Sequence, residues 1–117
     1  MLAVDDSLLM RRKVEKSLLE TEFQLIATAK DGVEAVAAFE EHRPDVVLLD
    51  VVMPNLDGPG ALERIMALDP QARVIMVSSL GTEETVSTCL DRGALRFLQK
   101  PFTQEVLLKT LRSVLPA

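Results

Sequence analysis

The sequence has few aromatic residues and almost no cysteine. Phe, Trp and Tyr make up 3% of its 117 residues, and neither Trp nor Tyr occurs. Because aromatic rings for base stacking are scarce and the formal net charge is -5 at pH 7, we exclude direct binding to nucleic acid. The single cysteine, Cys89, cannot form an internal disulfide and suits a reducing compartment, so we expect a cytoplasmic protein.

Long apolar runs are also missing. The longest are far shorter than the roughly 20 residues of a membrane-spanning helix, and no signal peptide opens the chain, so we expect no membrane segment. Hydrophobic residues nevertheless make up 48% of the sequence, which is ample for an aliphatic core. The length is that of one ordinary domain, and we predict that residues 1–117 form a single domain.

Short apolar runs alternate along the chain with segments of helical spacing. The predicted strands are Leu2–Val4, Phe23–Ala29, Val46–Leu49, Val74–Val77 and Arg96–Leu98. Between them, apolar residues recur every three or four positions, which predicts amphipathic helices. The alternation of strand and helix, repeated five times, predicts an α/β fold with a five-stranded parallel sheet and helices on both of its faces.

Several residues indicate where the helices begin. Asp31 opens a capping box that ends at Glu34, and Thr82 and Thr103 are predicted to cap the fourth and fifth helices. Pro59 fits the first turn of the third helix, where its missing N–H costs nothing. We interpret Asp57 as a turn or cap residue rather than as a metal ligand.

Five polar residues lie at the predicted carboxyl ends of strands. Asp5 and Asp6 follow the first strand, Asp50 ends the third, Ser78 ends the fourth, and Lys100 follows the fifth. In open α/β sheets a ligand binds outside these ends, where the strand order reverses. If the strand order is 2-1-3-4-5, the three aspartates converge on one point.

The chemistry of these side chains favours a metal-assisted phosphoryl transfer. Neighbouring carboxylates repel one another unless a cation lies among them, and oxygen ligands favour Mg²⁺, with Mn²⁺ as an alternative. Lys100 and Ser78 could each contact a phosphoryl oxygen, as a cation and as a hydroxyl donor. Asp50 is then the candidate nucleophile.

Four motifs, taken together and in order, resemble the response-regulator receiver family of two-component signalling. They are Val4-Asp5-Asp6-Ser7, the run from Asp50 to Gly58, Ser78-Ser79 and Lys100-Pro101-Phe102. The resemblance covers the whole chain, and the CheY-like chemotaxis regulators are the nearest functional relatives. It implies a flavodoxin-like (βα)₅ fold and a phosphoacceptor signalling domain rather than an enzyme.

The resemblance assigns roles to the site residues. It implies that Asp50 accepts a phosphoryl group from a sensor histidine kinase or a histidine phosphotransfer protein. It implies that Asp6, Asp50 and the backbone carbonyl of Val52 bind Mg²⁺ directly, and that Asp5 binds it through water. Lys100 corresponds to the phosphate-binding lysine, and a cis bond is expected before Pro101.

The resemblance also implies a conformational switch. Ser78 corresponds to the switch hydroxyl and Phe97 to the switch aromatic residue. Together they would reshape the face of the fourth helix, fifth strand and fifth helix, which contacts a downstream partner or an output domain, with a homodimer of the active form left open. The apolar Val52 and Leu80 flank the path of an attacking water, and we expect slow self-dephosphorylation.

Three other functions fit parts of the pattern. A haloacid-dehalogenase-like phosphatase would need a second aspartate two residues after Asp50, where this chain has Val52. A nucleotide-binding flavodoxin-like module would need a phosphate loop after the first strand, where Asp5 and Asp6 would repel phosphate. A pseudo-receiver that acts only as an interaction module, without phosphorylation, remains the alternative.

Overall fold

The protein, seen in a computed structural model that describes residues 1–79 and 83–115, alternates between strands and helices. Within these residues it forms five β-strands and five α-helices. The strands are β1 (Leu2–Val4), β2 (Ala27–Ala29), β3 (Val47–Asp50), β4 (Val74–Ser78) and β5 (Arg96–Gln99). The helices are α1 (Leu8–Leu18), α2 (Gly32–His42), α3 (Gly58–Leu68), α4 (Glu83–Asp91) and α5 (Gln104–Val114).

The strands form one parallel sheet in the order β2-β1-β3-β4-β5. Because β1 lies between β2 and β3, the direction in which the chain adds strands reverses between β1 and β3. Helices α1 and α5 cover one face of the sheet, and α2, α3 and α4 cover the other. This confirms the predicted α/β fold and strand order. Among the described helices, none has the length and apolar character needed to cross a membrane.

The central strands carry a separate core on each face of the sheet, because successive side chains of a strand point in opposite directions. In β4, Val74 and Met76 pack beneath α2, α3 and α4, whereas Ile75 and Val77 pack beneath α1 and α5. Every residue of β3 and β4 is buried. A register slip in either strand would exchange its two buried faces, so the positions of the strand ends are fixed.

The prediction for the second strand is too long at its start. The structure gives Ala27–Ala29 in place of Phe23–Ala29, because β1 offers only the three partners Leu2–Val4. The preceding segment stays outside the ladder, although Ile26 N donates a hydrogen bond to Met1 O at 2.9 Å. Its apolar side chains Phe23 and Leu25 instead pack against the core beneath α1 and α5.

Side chains at the helix starts satisfy backbone N–H groups. Among the described residues, Ser7, Asp31, Asp57 and Thr103 accept hydrogen bonds from the N–H groups of Met10, Glu34, Gly60 and Val106, respectively. The structure therefore confirms the caps predicted at Asp31, Asp57 and Thr103, and adds Ser7. Pro59 lies in the first turn of α3, as predicted. Thr82 lies outside the described residues.

Helix α4 is packed less firmly than its neighbours. Of its side chains at positions 84–91, only Cys89 is buried. Helix α5, which also lies beside β5, buries Leu107, Leu111 and Val114. A helix that buries little apolar surface can be displaced at a small cost in free energy.

Gly58, at the start of α3, packs directly against the end of β3. A Cβ atom at this position would lie 2.2 Å from Asp50 O. We expect Gly58→Ala to lower the free energy of unfolding by about 2–3 kcal/mol, because backbone must move to relieve the overlap. Gly60→Ala is the matched control, since the nearest atom to its Cβ would be the flexible end of the Leu56 side chain, which can adjust. Urea denaturation measures both variants, and equal stabilities would contradict this account of the packing.

Candidate functional site

Three carboxylates meet where the strand order reverses. Asp5 follows β1, Asp6 comes next, and Asp50 is the last residue of the neighbouring strand β3. One ligand oxygen from each lies within 4.8 Å of the others. Asp5 and Asp50 are buried, whereas Asp6 is exposed. The parallel pairing of β1 with β3 therefore brings together the three aspartates, as the sequence predicts.

Asp5 is held from both sides by hydrogen bonds and an ion pair. Its Oδ1 atom accepts a hydrogen bond from the backbone N–H of Ser7 at 2.9 Å, within the turn that begins α1. Its Oδ2 atom lies 2.5 Å from Lys100 Nζ. Arg11 of α1 donates to the backbone carbonyl of Asp5 at 2.6 Å. Asp5 thus joins the end of β1, the start of α1 and Lys100 in one network.

Lys100 crosses from the far strand to the carboxylates. Its Nζ atom lies 3.5 Å from Asp50 Oδ1 in addition to its contact with Asp5. Its backbone N–H donates to Ser78 O at 2.9 Å, and the peptide bond to Pro101 is cis, as predicted. Lys13 fastens the segment that follows, because its Nζ atom donates to Phe102 O at 3.1 Å and lies 5.1 Å from the centre of the Phe102 ring.

The environment of Asp50 disfavours its ionised form. Burial, followed by the nearby charge of Asp5, raises the pKa of Asp50 to about 6, and Asp6 acts in the same direction. The ammonium group of Lys100 opposes this shift but does not cancel it. One cation thus faces three carboxylates, and the local charge remains negative when all three are ionised.

The donor set fits a hard divalent cation. Three carboxylates converge from two strand ends, and the described residues bring no His or Cys side chain into this cluster. Burial, followed by the nearby charge of Asp5, raises the pKa of Asp50, and a bound cation would again favour the ionised form. Carboxylate oxygens at a partly open site are the ligands that Mg²⁺ and Mn²⁺ prefer. The residues present therefore fit the predicted metal.

The loop after Asp50, residues 51–57, forms the rim of the site. The side chain of Val52 is 71% exposed and points away from the core. Farther along the loop, Asn55 Nδ2 donates to Asp31 Oδ2 at 2.9 Å, at the start of α2. The sequence predicts Asp31 only as a cap, and this contact was not predicted. The strand order 2-1-3 was the available signal, since it places the start of α2 near the end of β3.

Ser78 and Phe97 lie on neighbouring strands and on the same face of the sheet. Ser78 pairs with Gln99 and Met76 pairs with Phe97, so the two predicted switch residues are diagonal neighbours. Ser78 is buried at the end of β4, and Phe97 is half-buried against the core beneath α2, α3 and α4. Leu80, the other predicted flanking residue, lies outside the described residues.

The sequence matches the family described as response regulator receiver domain over residues 1–112. The chain belongs to this family. The receiver is 40% identical over 111 residues to the chemotaxis protein CheY of Listeria monocytogenes. The aligned residues cover 95% of this chain and 93% of that protein.

Two further relatives of the receiver are a chain from a protein complex and part of a longer protein. A chain in the crystal structure of the CheX-CheY-BeF3-Mg+2 complex from Borrelia burgdorferi is 41% identical with a TM-score of 0.94, and the match covers 99% of this receiver and 88% of that chain. A protein-glutamate methylesterase/protein-glutamine glutaminase of Caldanaerobacter subterraneus is 48% identical over 104 residues, which cover 86% of this receiver and 28% of that protein.

Membership of the family argues against two of the three other functions that fit parts of the sequence, and the pseudo-receiver stays an alternative. A receiver domain is a signalling domain of two-component systems, and its CheY relatives belong to chemotaxis. Because residues 1–112 match the receiver family, the chain is interpreted neither as a phosphatase nor as a nucleotide-binding module.

The raised pKa of Asp50 predicts a pH-dependent effect of Asp50→Asn on the stability of the metal-free protein. Between pH 3.8 and about 6 the folded state keeps a proton on Asp50 that the unfolded state loses. The wild type therefore loses stability relative to Asp50→Asn as the pH rises through this window. We expect a change on the order of 1 kcal/mol, because water at the open side of the site screens the charges.

Urea denaturation in the presence of a chelator, at pH 4 and pH 7, measures this difference. Comparison with the variant cancels the contributions of titrating groups remote from Asp50, including Glu22, whose pKa is lowered to about 2 by its hydrogen bond with Arg112. A stability difference that is the same at both pH values would contradict the raised pKa of Asp50.

Proposed function

We propose that this receiver accepts a phosphoryl group on Asp50 from a phosphohistidine of a sensor histidine kinase or a histidine phosphotransfer protein. The observation that carries the proposal is the meeting of Asp5, Asp6 and Asp50 with Lys100 at the point where the strand order reverses. One ligand oxygen of Asp50 lies within 4.8 Å of those of Asp5 and Asp6, and its Oδ1 atom lies 3.5 Å from Lys100 Nζ. An anion bonded to Asp50 would therefore face both a cation site and a fixed cation. This arrangement is suited to an acyl phosphate.

The transfer forms one bond and breaks one bond. An oxygen of the Asp50 carboxylate attacks the phosphorus atom, and the P–N bond to the donor histidine breaks as the new O–P bond forms. The electron pair of the P–N bond leaves with the histidine nitrogen. Asp6, Asp50 and the carbonyl of Val52 would hold Mg²⁺ or Mn²⁺ directly, with Asp5 bound through water. The bound ion would supply positive charge to the phosphoryl oxygens.

Lys100 supplies the second positive charge. In the structure its ammonium group is 2.5 Å from Asp5 and 3.5 Å from Asp50, so it lies beside the nucleophile before any transfer. A phosphoryl group on Asp50 would attract Lys100 away from Asp5, because the new oxygens carry more charge than the single carboxylate. The ammonium group therefore changes its partner without leaving the site.

The proposed switch passes from Ser78 to the face formed by α4, β5 and α5. The Ser78 hydroxyl would donate to a phosphoryl oxygen, drawing the end of β4 towards Asp50. Phe97, which lies on the same face of the sheet as Ser78, would then fill the space behind it. Because α4 is lightly packed, this rearrangement would shift the population of its positions and change what the face can bind.

The partners of this receiver follow from the same proposal. A kinase or phosphotransfer protein supplies the phosphoryl group in the cytoplasm, and a downstream protein or an output domain binds the face formed by α4, β5 and α5. The CheY relatives favour a chemotaxis pathway. The Borrelia burgdorferi relative, solved with CheX, BeF3 and Mg, supports a site that takes both a metal and a phosphoryl mimic. Dimerisation of the active form is an alternative means of output.

Phosphorylation by a small donor tests the proposal. Incubation with acetyl phosphate and Mg²⁺ should add one base-labile phosphoryl group, and Asp50→Asn should abolish it, because an amide is a much poorer nucleophile than a carboxylate. Asp57→Asn is the matched control, since Asn caps α3 as well as Asp does and the residue lies outside the cluster. Intact mass and peptide mapping detect the product. An unlabelled wild type would favour the pseudo-receiver alternative.

The lifetime of the acyl phosphate depends on the side chains that flank the approach of water. Val52 is apolar and 71% exposed, so Val52→Asn should fold normally. The double variant, which adds Leu80→Glu, should orient an attacking water and speed the decay about tenfold or more. This is less than the roughly hundredfold effect of a well-placed general base. Decay of the labelled protein after removal of the donor is the measurement. Equal decay rates in wild type and double variant would assign the lifetime to other residues.

A further inference from the structure

The loop of residues 51–57 is fastened at its base and at its tip by different elements. At the base, Val51 N donates to Val77 O at 3.0 Å, and Gly58 N donates to Val51 O at 2.9 Å. At the tip, Leu56 O accepts a hydrogen bond from the backbone N–H of Gly32 at 3.0 Å. The base is therefore fixed to the sheet, whereas the tip is fixed to the start of α2.

Asp31 provides the second contact between α2 and the loop. Its Oδ1 atom caps α2 by accepting from Glu34 N at 2.8 Å, and its Oδ2 atom accepts from Asn55 Nδ2 at 2.9 Å. Asp31 is 6% exposed, and these two hydrogen bonds hold its pKa below the ordinary value. The carboxylate is thus ionised at neutral pH and forms charge-assisted bonds, which are stronger than neutral ones.

Asn55 has the backbone conformation that the loop requires. Its φ angle is 69°, in the left-handed region, which Asn adopts more readily than most residues. The chain therefore turns sharply at Asn55 while its side chain reaches Asp31. Val52 lies between the base of the loop and this turn, so restraint at both ends limits the positions of its backbone carbonyl.

We propose that Asp31 and Asn55 are positioning residues for the metal site, which hold the loop so that the carbonyl of Val52 faces the acidic cluster. The proposal rests on the proposed function, in which that carbonyl is a metal ligand. Neither Asp31 nor Asn55 belongs to the cluster of Asp5, Asp6 and Asp50. Their bridge joins protein groups alone, so it would order the loop independently of the ion, and less conformational entropy would be lost on binding.

The experiment separates the bridge from the helix cap and from the charge. Asp31→Ser keeps a capping oxygen but loses the oxygen that contacts Asn55. Asp31→Asn removes the charge but keeps the cap. If the Asn55 amide turns over, the new amide can still form a side-chain hydrogen bond with Asn55. Asn55→Gly removes the bridge from the other side and tolerates the left-handed backbone. Ala37→Gly weakens the exposed face of α2 without touching the loop.

Mg²⁺ affinity, measured by calorimetric titration, is the principal measurement. We expect Asp31→Ser and Asn55→Gly each to weaken binding on the order of tenfold, the lower end of the range for partners that orient metal ligands. The double variant should bind no more weakly than either single variant, because both remove the same bond. Asp31→Asn should stay near the wild type, and Ala37→Gly should lower the melting temperature with unchanged affinity.

Hydrogen exchange of the metal-free protein provides an independent measurement. The amides of Val52, Met53 and Leu56, together with that of residue 55, should exchange faster in Asp31→Ser and Asn55→Gly than in wild type or Ala37→Gly. Wild-type affinity in Asp31→Ser, or additive losses in the double variant, would overturn the inference. A wild type that does not bind Mg²⁺ would instead overturn the proposed function, so the two failures are distinguishable.

Discussion

The repulsion among the carboxylates of Asp5, Asp6 and Asp50 is the constraint on which the rest of the site depends. The three groups repel one another, so the backbone must hold their oxygens within 4.8 Å, with Lys100 offsetting part of the repulsion. The backbone does so because β1 and β3 are neighbours whose ends are fixed by buried residues on both faces of the sheet. The hydrophobic cores thereby hold the acidic groups together against their mutual repulsion.

Lys100 limits that repulsion and also connects distant parts of the fold. Its side chain reaches from the end of β5 to Asp5 and Asp50, while its backbone N–H is bonded to Ser78 at the end of β4. A change of charge at Asp50 therefore acts at once on β1, β4 and β5. The site and the proposed switch are adjacent parts of one electrostatic network.

Most of the fold could be predicted from patterns that record burial directly. Continuous apolar runs such as Val74–Val77 identified central strands, and Asp31, Asp57 and Thr103 identified helix starts. The second strand was predicted too long, because the apolar residues Phe23 and Leu25 serve a core without entering the sheet. Its length depends on the number of partners in β1, which the composition of the segment itself does not record.

The acidic cluster could be predicted because strand ends and strand order together determine it. The contact between Asp31 and Asn55 could not be predicted in the same way. It depends on the left-handed backbone at Asn55 and on a carboxylate that uses one oxygen for a cap and the other for a neighbour. Neither the spacing of the residues nor their types distinguishes this pair from two unrelated loop residues.

The light packing of α4 has a thermodynamic consequence under the proposed function. Because Cys89 is the only buried side chain at positions 84–91, little free energy separates alternative positions of this helix. A partner that prefers one position can therefore select it, just as a phosphoryl group would. Linkage makes this influence mutual, so a protein bound at α4 would change the equilibrium between the phosphorylated and unphosphorylated forms of Asp50. The output face would then also be an input, through which the availability of a target regulates how much of the receiver carries the signal.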